Sequence, residues 1–312
     1  METFGILMEQ IGFFVIYIVI GVCLVRVNVF NAETLEPLSK FVLKLGLPVL
    51  LFINTVNGVS RETLFTSSSI LIITTVLYLL LFWLAKGLAA IFGLKGDCGQ
   101  VYRALSMFGN IGFMGIPIIS SIYPENGMLY ISVFTIVDQL ALWTIGVKLT
   151  TPGEKGRERF NPWKLVNPAT VAIILAVLCV LCRFHLPRLL NIALGKIGAT
   201  ATPMAMIYLG GVFGCINIRK YIVQLPFYGI VAVKMLLFPV AVYFLLGHLP
   251  ISEEIRMTLT LVTAMPSMSS VVMMAKASGS EGDFAMGGIF VTTLCSIVTL
   301  PFVCWILQSV AL

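Results

Sequence analysis

The chain has 312 residues, of which 59% are hydrophobic and only 11% are charged. A soluble domain of this length cannot hide that much apolar surface, so the surrounding solvent is largely lipid and a polytopic membrane protein is expected. The net charge of +6 comes without a basic run interleaved with aromatics, which excludes a nucleic-acid surface and assigns the excess to loops.

Apolar runs near membrane-spanning length fall at about 5–26, 36–57, 66–92, 101–122, 128–149, 167–184, 190–214, 221–247, 255–277 and 284–309, which predicts ten spans. The first carries Glu9 and Gln10 and no basic leader or small-residue cleavage site, so it reads as a span rather than a signal peptide. Between the fifth and sixth runs lies "TPGEKGRERFNPWK", Thr151 to Lys164, the only sustained polar stretch. The expected organisation is a five-helix unit over 1–149, a linker over 150–165 and a second five-helix unit over 166–312. An even number of spans puts both termini on one face. Thirteen Lys and Arg residues fall on the face of the central loop and five on the other. That bias predicts a cytoplasmic central loop and extracytoplasmic termini, in the cell membrane.

The halves resemble each other. Pro48 in the second run and Pro203 in the seventh sit mid-helix, as do Pro117 in the fourth and Pro266 in the ninth. The separations are 69 and 63 residues. A repeat of five spans must be inverted in its second copy, and inverted repeats with interrupted helices at matching places point to secondary transporters.

The interruptions are informative in themselves. "GNIGFMGIPIISS", Gly109 to Ser121, carries three glycines, an Asn and a Pro inside an apolar run. A proline removes one N–H and drives its ring at the carbonyl four residues back. In hydrocarbon each freed group costs several kcal/mol unless something answers it. Gly109, Gly112 and Gly115 allow non-helical dihedrals and close approach of another backbone. "TAMPSMSS", Thr263 to Ser270, is the counterpart around Pro266. At about 1.5 Å per residue Asn110 lies about 13 Å into its span and Pro266 about 16 Å into its own, both near the midplane. Two broken helices crossing there would present half-helix N-termini to an anionic group such as a carboxylate. Asn110, Gly112, Gly115, Pro117, Pro266, Ser267 and Ser269 are the expected substrate contacts, with Gln139 from the fifth span.

Asp138, about 15 Å into the fifth span, is a carboxylate at the bilayer centre. An ionised, unpaired group there costs at least about 2.5 kcal/mol. It is expected to bind a coupling H⁺ or Na⁺. The weaker polar positions Asn54, Thr200, Thr202, Thr292, Thr293 and Ser296 are of types that commonly bond their own helix carbonyls. Lys276 is expected to snorkel, and Lys234 and Pro239 to anchor and kink the eighth span. The methionines around Pro266 pack, His185 and His248 are interfacial, and the cysteines, including the CxxC pair Cys179 and Cys182, form neither a disulfide framework nor a metal site.

"GNIGFMGIPIISSIYPENG" resembles the fourth-span signature of the auxin efflux carrier superfamily, P-N-x-x-x-M-G-I-P, in which Asn110, Met114, Gly115, Ile116 and Pro117 match and Gly109 stands in place of the first proline. "AMPSMSSVVMMAKASG" resembles the ninth-span pattern through Pro266, Ala275 and Lys276, and Gln139 with Trp143 matches a Q-x-x-x-W pair. The likeness covers essentially the whole chain. It implies an all-α fold of the sodium–proton antiporter and bile-acid symporter class, with spans four and nine crossing and spans 1, 2, 6 and 7 as a scaffold for a moving domain. It also implies small organic anions as cargo, Asn110 beside the substrate carboxylate, and a homodimer. Asp138 has no counterpart in the plant motif. The short central loop is that of a microbial-type member.

The function expected is a secondary carrier of a mono- or dicarboxylate, working by alternating access. An anion channel and a non-transporting sensor on the same scaffold are the alternatives. No cofactor is expected, and no enzymatic motif (GxSxG, HExxH or paired intramembrane carboxylates) is present.

Overall fold

The computed structural model describes residues 2–61, 68–153, 168–217 and 219–311. The expected 150–165 linker therefore lies mostly outside the described residues. Regular structure among the described residues is helical throughout. Besides a short turn at Arg219–Ile222, in chain order it comprises α1 (Glu2–Arg26), α2 (residues 32–58), α3 (Ser68–Ile91), α4 (Gly96–Met107), α5 (Ile111–Ile122), α6 (Gly127–Thr150), α7 (Pro168–Leu181), α8 (Arg188–Cys215), α9 (Leu225–Leu246), α10 (Glu253–Thr263), α11 (Ser270–Ser278) and α12 (Gly282–Ala311).

Seven of these are long and apolar enough to cross a membrane: α1, α2, α3, α6, α8, α9 and α12. Two shorter apolar helices, α5 and α7, accompany them. Each expected run falls on one helix, except the fourth and ninth, which fall on the pairs α4–α5 and α10–α11. Neither member of those pairs reaches membrane-spanning length by itself, because both runs are interrupted.

The packing separates two groups of helices. α1 lies along α8, α7 lies on α2, and α2 also contacts α8. The first contact brings backbones together: a Cβ on Gly21 would stand 2.1 Å from the Ile207 carbonyl oxygen, and one on Gly210 2.0 Å from that of Ile18. Small residues at such crossings let dispersion contacts form without a hydrophobic driving force. The second group comprises α3, α4, α6, α9, α11 and α12, with α3 on α4 and α6, and α12 on α9, α11 and α4. α5 and α10 complete it through α6 and α9, and the groups meet where α2 touches α6 and α1 touches α5.

The prolines behave differently from the sequence expectation. A π-helical turn precedes three of them: Val42–Gly46 before Pro48, Ile111–Gly115 before Pro117 and Ile230–Leu237 before Pro239. In each case the residue just before the proline donates its N–H five residues back, Leu47 to Val42, Ile116 to Ile111 and Phe238 to Val233. The extra residue in the turn carries the carbonyl that would meet the ring out of its way. Pro117 is thus absorbed and does not open its helix. Pro203 sits inside the unbroken α8 with no such turn, so its local backbone differs from that at Pro48.

Candidate functional site

The fourth span opens at Phe108, Gly109 and Asn110. α4 ends at Met107, Phe108 is extended (φ −94°, ψ 118°), and Asn110 precedes α5 (φ −78°, ψ 62°). The ninth opens between α10 and α11, with Pro266 inside the gap. The two openings pair as a short antiparallel bridge, Gly109 opposite Ser267. The Asn110 N–H donates to the Pro266 carbonyl at 2.7 Å, and the Met268 N–H to the Phe108 carbonyl at 2.9 Å. Backbone groups that the broken helices cannot satisfy internally therefore satisfy each other, as a lipid-immersed fold requires. Phe108, Asn110, Ser267 and Met268 are all fully buried.

Side chains brace this clasp. The Ser267 hydroxyl donates to the Leu105 carbonyl at 2.8 Å, and the Ser267 N–H to Thr292 Oγ1 at 3.2 Å. Two helix ends and two helix starts converge here, α4 and α10 ending and α5 and α11 beginning. In α5 the Met114 and Gly115 amides share the Asn110 carbonyl. The first-turn amides of Gly112 and Phe113 precede the helix's own ladder and remain as donors.

Asn110 has an unusual status. Its side chain is 0% exposed, and neither Oδ1 nor Nδ2 has a hydrogen-bond partner among the described residues. The Ser269 and Ser270 hydroxyls share that condition. A buried, unanswered amide costs about 1 to 3 kcal/mol, so its retention calls for an explanation.

Beside the clasp lies a second polar group. Asp138 on α6 is 0% exposed. The Tyr78 hydroxyl of α3 donates to Oδ1, and Gln139 Nε2 donates to Oδ2 at 2.8 Å. Trp143 Nε1 then donates to Gln139 Oε1 at 3.2 Å. The Tyr78 ring packs on Phe108 of the clasp, with centroids 5.8 Å apart. Asp138 is thereby linked to the crossing through one aromatic contact.

Lys234 is where sequence reasoning went wrong. It does not anchor α9 at an interface: it is 1% exposed and its ammonium donates to the Met265 carbonyl, inside the gap of the ninth span. It shares a small cavity with Tyr78, whose hydroxyl donates to Asp138. A lysine in the run "IVAVKMLL" was the available signal, since an intramembrane charge marks function by default. Tyr78 left no signal, because its importance lies in its partner.

The other expected contacts divide by geometry. Gly112 and Gly115 are buried in the first turn of α5, where a Cβ would meet Leu47 Cδ1 at 3.0 Å and Ile111 Cγ2 at 3.3 Å respectively. Pro117 is half-buried, a turn beyond the clasp, and Pro266 lies in it. Ser267 and Gln139 are already engaged, whereas Asn110 and Ser269 are not.

Space is distributed unevenly. A cavity of about 10 Å³, lined by Tyr78, Gly109, Ile111, Phe134, Lys234 and Thr263 among others, lies against the clasp. That is about the room one water needs. A cleft of about 750 Å³ opens elsewhere, between the ends of α2 and α7 and the α5–α6 corner, with Asn57, Arg61, Glu125, Asn126, Arg183 and His185 on its walls. The crossing is closed in this conformation, and the roomy cleft lies along the seam between the two helix groups.

Many apolar helices with paired, unwound centres define a multi-pass membrane protein built like a transporter. The chain belongs to the membrane transport protein family, which it matches over residues 6–164 and 157–304. This is the auxin efflux carrier family that the sequence resembles. It is also similar to the uncharacterized transporter MJ1031 of Methanocaldococcus jannaschii, with 21% identity over 97% of this chain and 99% of that protein.

Proposed function

We propose that the protein is a secondary carrier of a small organic anion, a mono- or dicarboxylate, in the cell membrane. The observation that carries this reading is the buried Asn110 amide, unanswered within the protein and placed at the start of α5 beside a second unwound helix. An amide donor, the open first-turn amides of Gly112 and Phe113 and the positive end of a helix dipole suit a carboxylate. Ser269 and Gly115 complete the cradle, while Pro117, Pro266, Ser267 and Gln139 hold it in shape.

In this reading the chain makes ten crossings as two inverted five-helix units, with spans four and nine broken. The termini are extracytoplasmic and the central loop is cytoplasmic. The group α1, α2, α7 and α8 is the scaffold, through which the protein dimerises. The remaining helices move against it along the seam that holds the cleft, opening the crossing to alternate faces. Asp138 carries the coupling ion, H⁺ or Na⁺. Efflux of an anion down the membrane potential gains about 2.3 kcal/mol per charge per 100 mV and needs no coupling, whereas uptake does.

The test is charge movement and tracer flux in proteoliposomes offered a panel of mono- and dicarboxylates, with and without ion gradients. Saturable flux whose half-saturation rises steeply in Asn110→Ala supports the reading. Absence of both current and tracer flux for every carboxylate removes organic-anion transport.

A further inference from the structure

We propose that the Lys234 ammonium is a tethered cation standing where a coupling Na⁺ would otherwise bind, so that the crossing works without Na⁺ and the coupling ion assigned above to Asp138 narrows to H⁺. In broken-helix transporters, unwound carbonyls and helix C-terminal ends are what Na⁺ finds at the midplane. Here α10 ends at such a place. Its last amides fold back, Ala264 onto Thr260 and Leu261 and Met265 onto Val262, which leaves the Met265 carbonyl projecting past the helix end. Lys234 donates to that carbonyl. A Cβ on Gly109 would lie 3.3 Å from Lys234 Nζ and 3.5 Å from the Val262 carbonyl oxygen, so the ammonium sits where the two openings touch. Thr263 and Tyr78 line the same small cavity, and the Tyr78 hydroxyl donates to the Asp138 carboxylate behind it.

Backbone carbonyls, a helix C-terminus and a nearby carboxylate form an all-oxygen, negative environment of the type hard cations prefer. The other helix end at the crossing provides the contrast. The α4 carbonyls are met by neutral donors, the Ser267 hydroxyl on Leu105 and the Met268 amide on Phe108. Only the α10 end, among the described residues of the crossing, is met by a charged side chain. An ammonium there supplies positive charge on a tether, at the carbonyl that an ion would otherwise meet.

The inference rests on the carrier reading for its transport consequence, but its test does not. Purified protein in detergent would be unfolded thermally in NaCl and in choline chloride at equal ionic strength, as wild type, Lys234→Arg and Lys234→Gln. Wild type and Lys234→Arg are expected to unfold at the same temperature in both salts. Lys234→Gln is expected to unfold earlier in choline and to recover part of the loss in a saturable, Na⁺-specific manner. A saturable Na⁺-specific rise in wild type would overturn the proposal, and so would a folded Lys234→Gln that ignores Na⁺. If Lys234→Gln does not fold, the wild-type comparison decides alone. Loss of carboxylate flux in wild type would sink the carrier reading without touching this result.

Discussion

Asn110 and Asp138 sit a few residues from the same crossing and make opposite demands. Asn110 gives its backbone N–H to the clasp and keeps its side chain free, whereas both Asp138 oxygens are occupied by Tyr78 and Gln139. Replacing Asn110 by Ala removes nothing the protein uses for itself. Its melting temperature should hold or rise, while half-saturation for the transported carboxylate rises about 10- to 150-fold, the worth of one hydrogen bond to a charged group. Parallel melting and flux curves check both halves of that expectation. Tyr78→Phe leaves Asp138 Oδ1 unanswered and should lower stability by about 1 to 3 kcal/mol, measured by thermal unfolding in detergent. Asn110 and Asp138 were legible in the sequence because an amide or carboxylate within an apolar run is costly and conspicuous. Lys234 was equally conspicuous, yet an anchoring role for its helix supplied a bland explanation. Only the path of α9 shows the side chain turning inward.

Among the helices, the sequence located the interruptions, but only one of the two prolines expected to open them lies in its gap. The prolines were expected to open spans four and nine alike. In the ninth, Pro266 does lie in the gap, but in the fourth the gap falls at Gly109, and Pro117 is accommodated by a π turn. Pro203 has no such turn, so a proline alone does not announce one, because the relief is a main-chain rearrangement. Close packing gives a sharper expectation. Gly210→Ala must displace the Ile18 carbonyl and should cost about 1 to 3 kcal/mol or more. Gly12→Ala, on the same face-to-face pair of helices but with nothing within 4 Å of its new methyl, should be neutral. Melting temperatures of the two variants test the contrast.

Across the molecule, the proposed movement runs along the seam between the two helix groups. The cleft walls come from α2 and α7 on one bank and the α5–α6 corner on the other. Asn126 and Tyr130 from that corner both donate to Glu254 at the start of α10, at 3.1 and 3.0 Å. At the opposite end Ser278 donates to the Thr150 carbonyl, and the Gly153 amide to Asp97. These ties hold the second group together as a unit and leave the seam uncrossed by them. Cys179 lines the cleft, and Cys98 lies at the start of α4, past the far end of α3. In single-cysteine variants a membrane-impermeant maleimide is expected to label Cys179 from outside intact cells and Cys98 only from within. The reverse pattern would invert the proposed topology.

The bridge between Gly109 and Ser267 is made of main-chain atoms alone. Every amino acid but proline carries the same N–H and C=O, so this joint persists while the side chains around it change. Asn110, Ser269 and their neighbours are then free to drift in identity without unfastening the core that displays them. A lineage built on such a joint changes cargo by small steps in local chemistry, since the frame does not have to be reinvented each time.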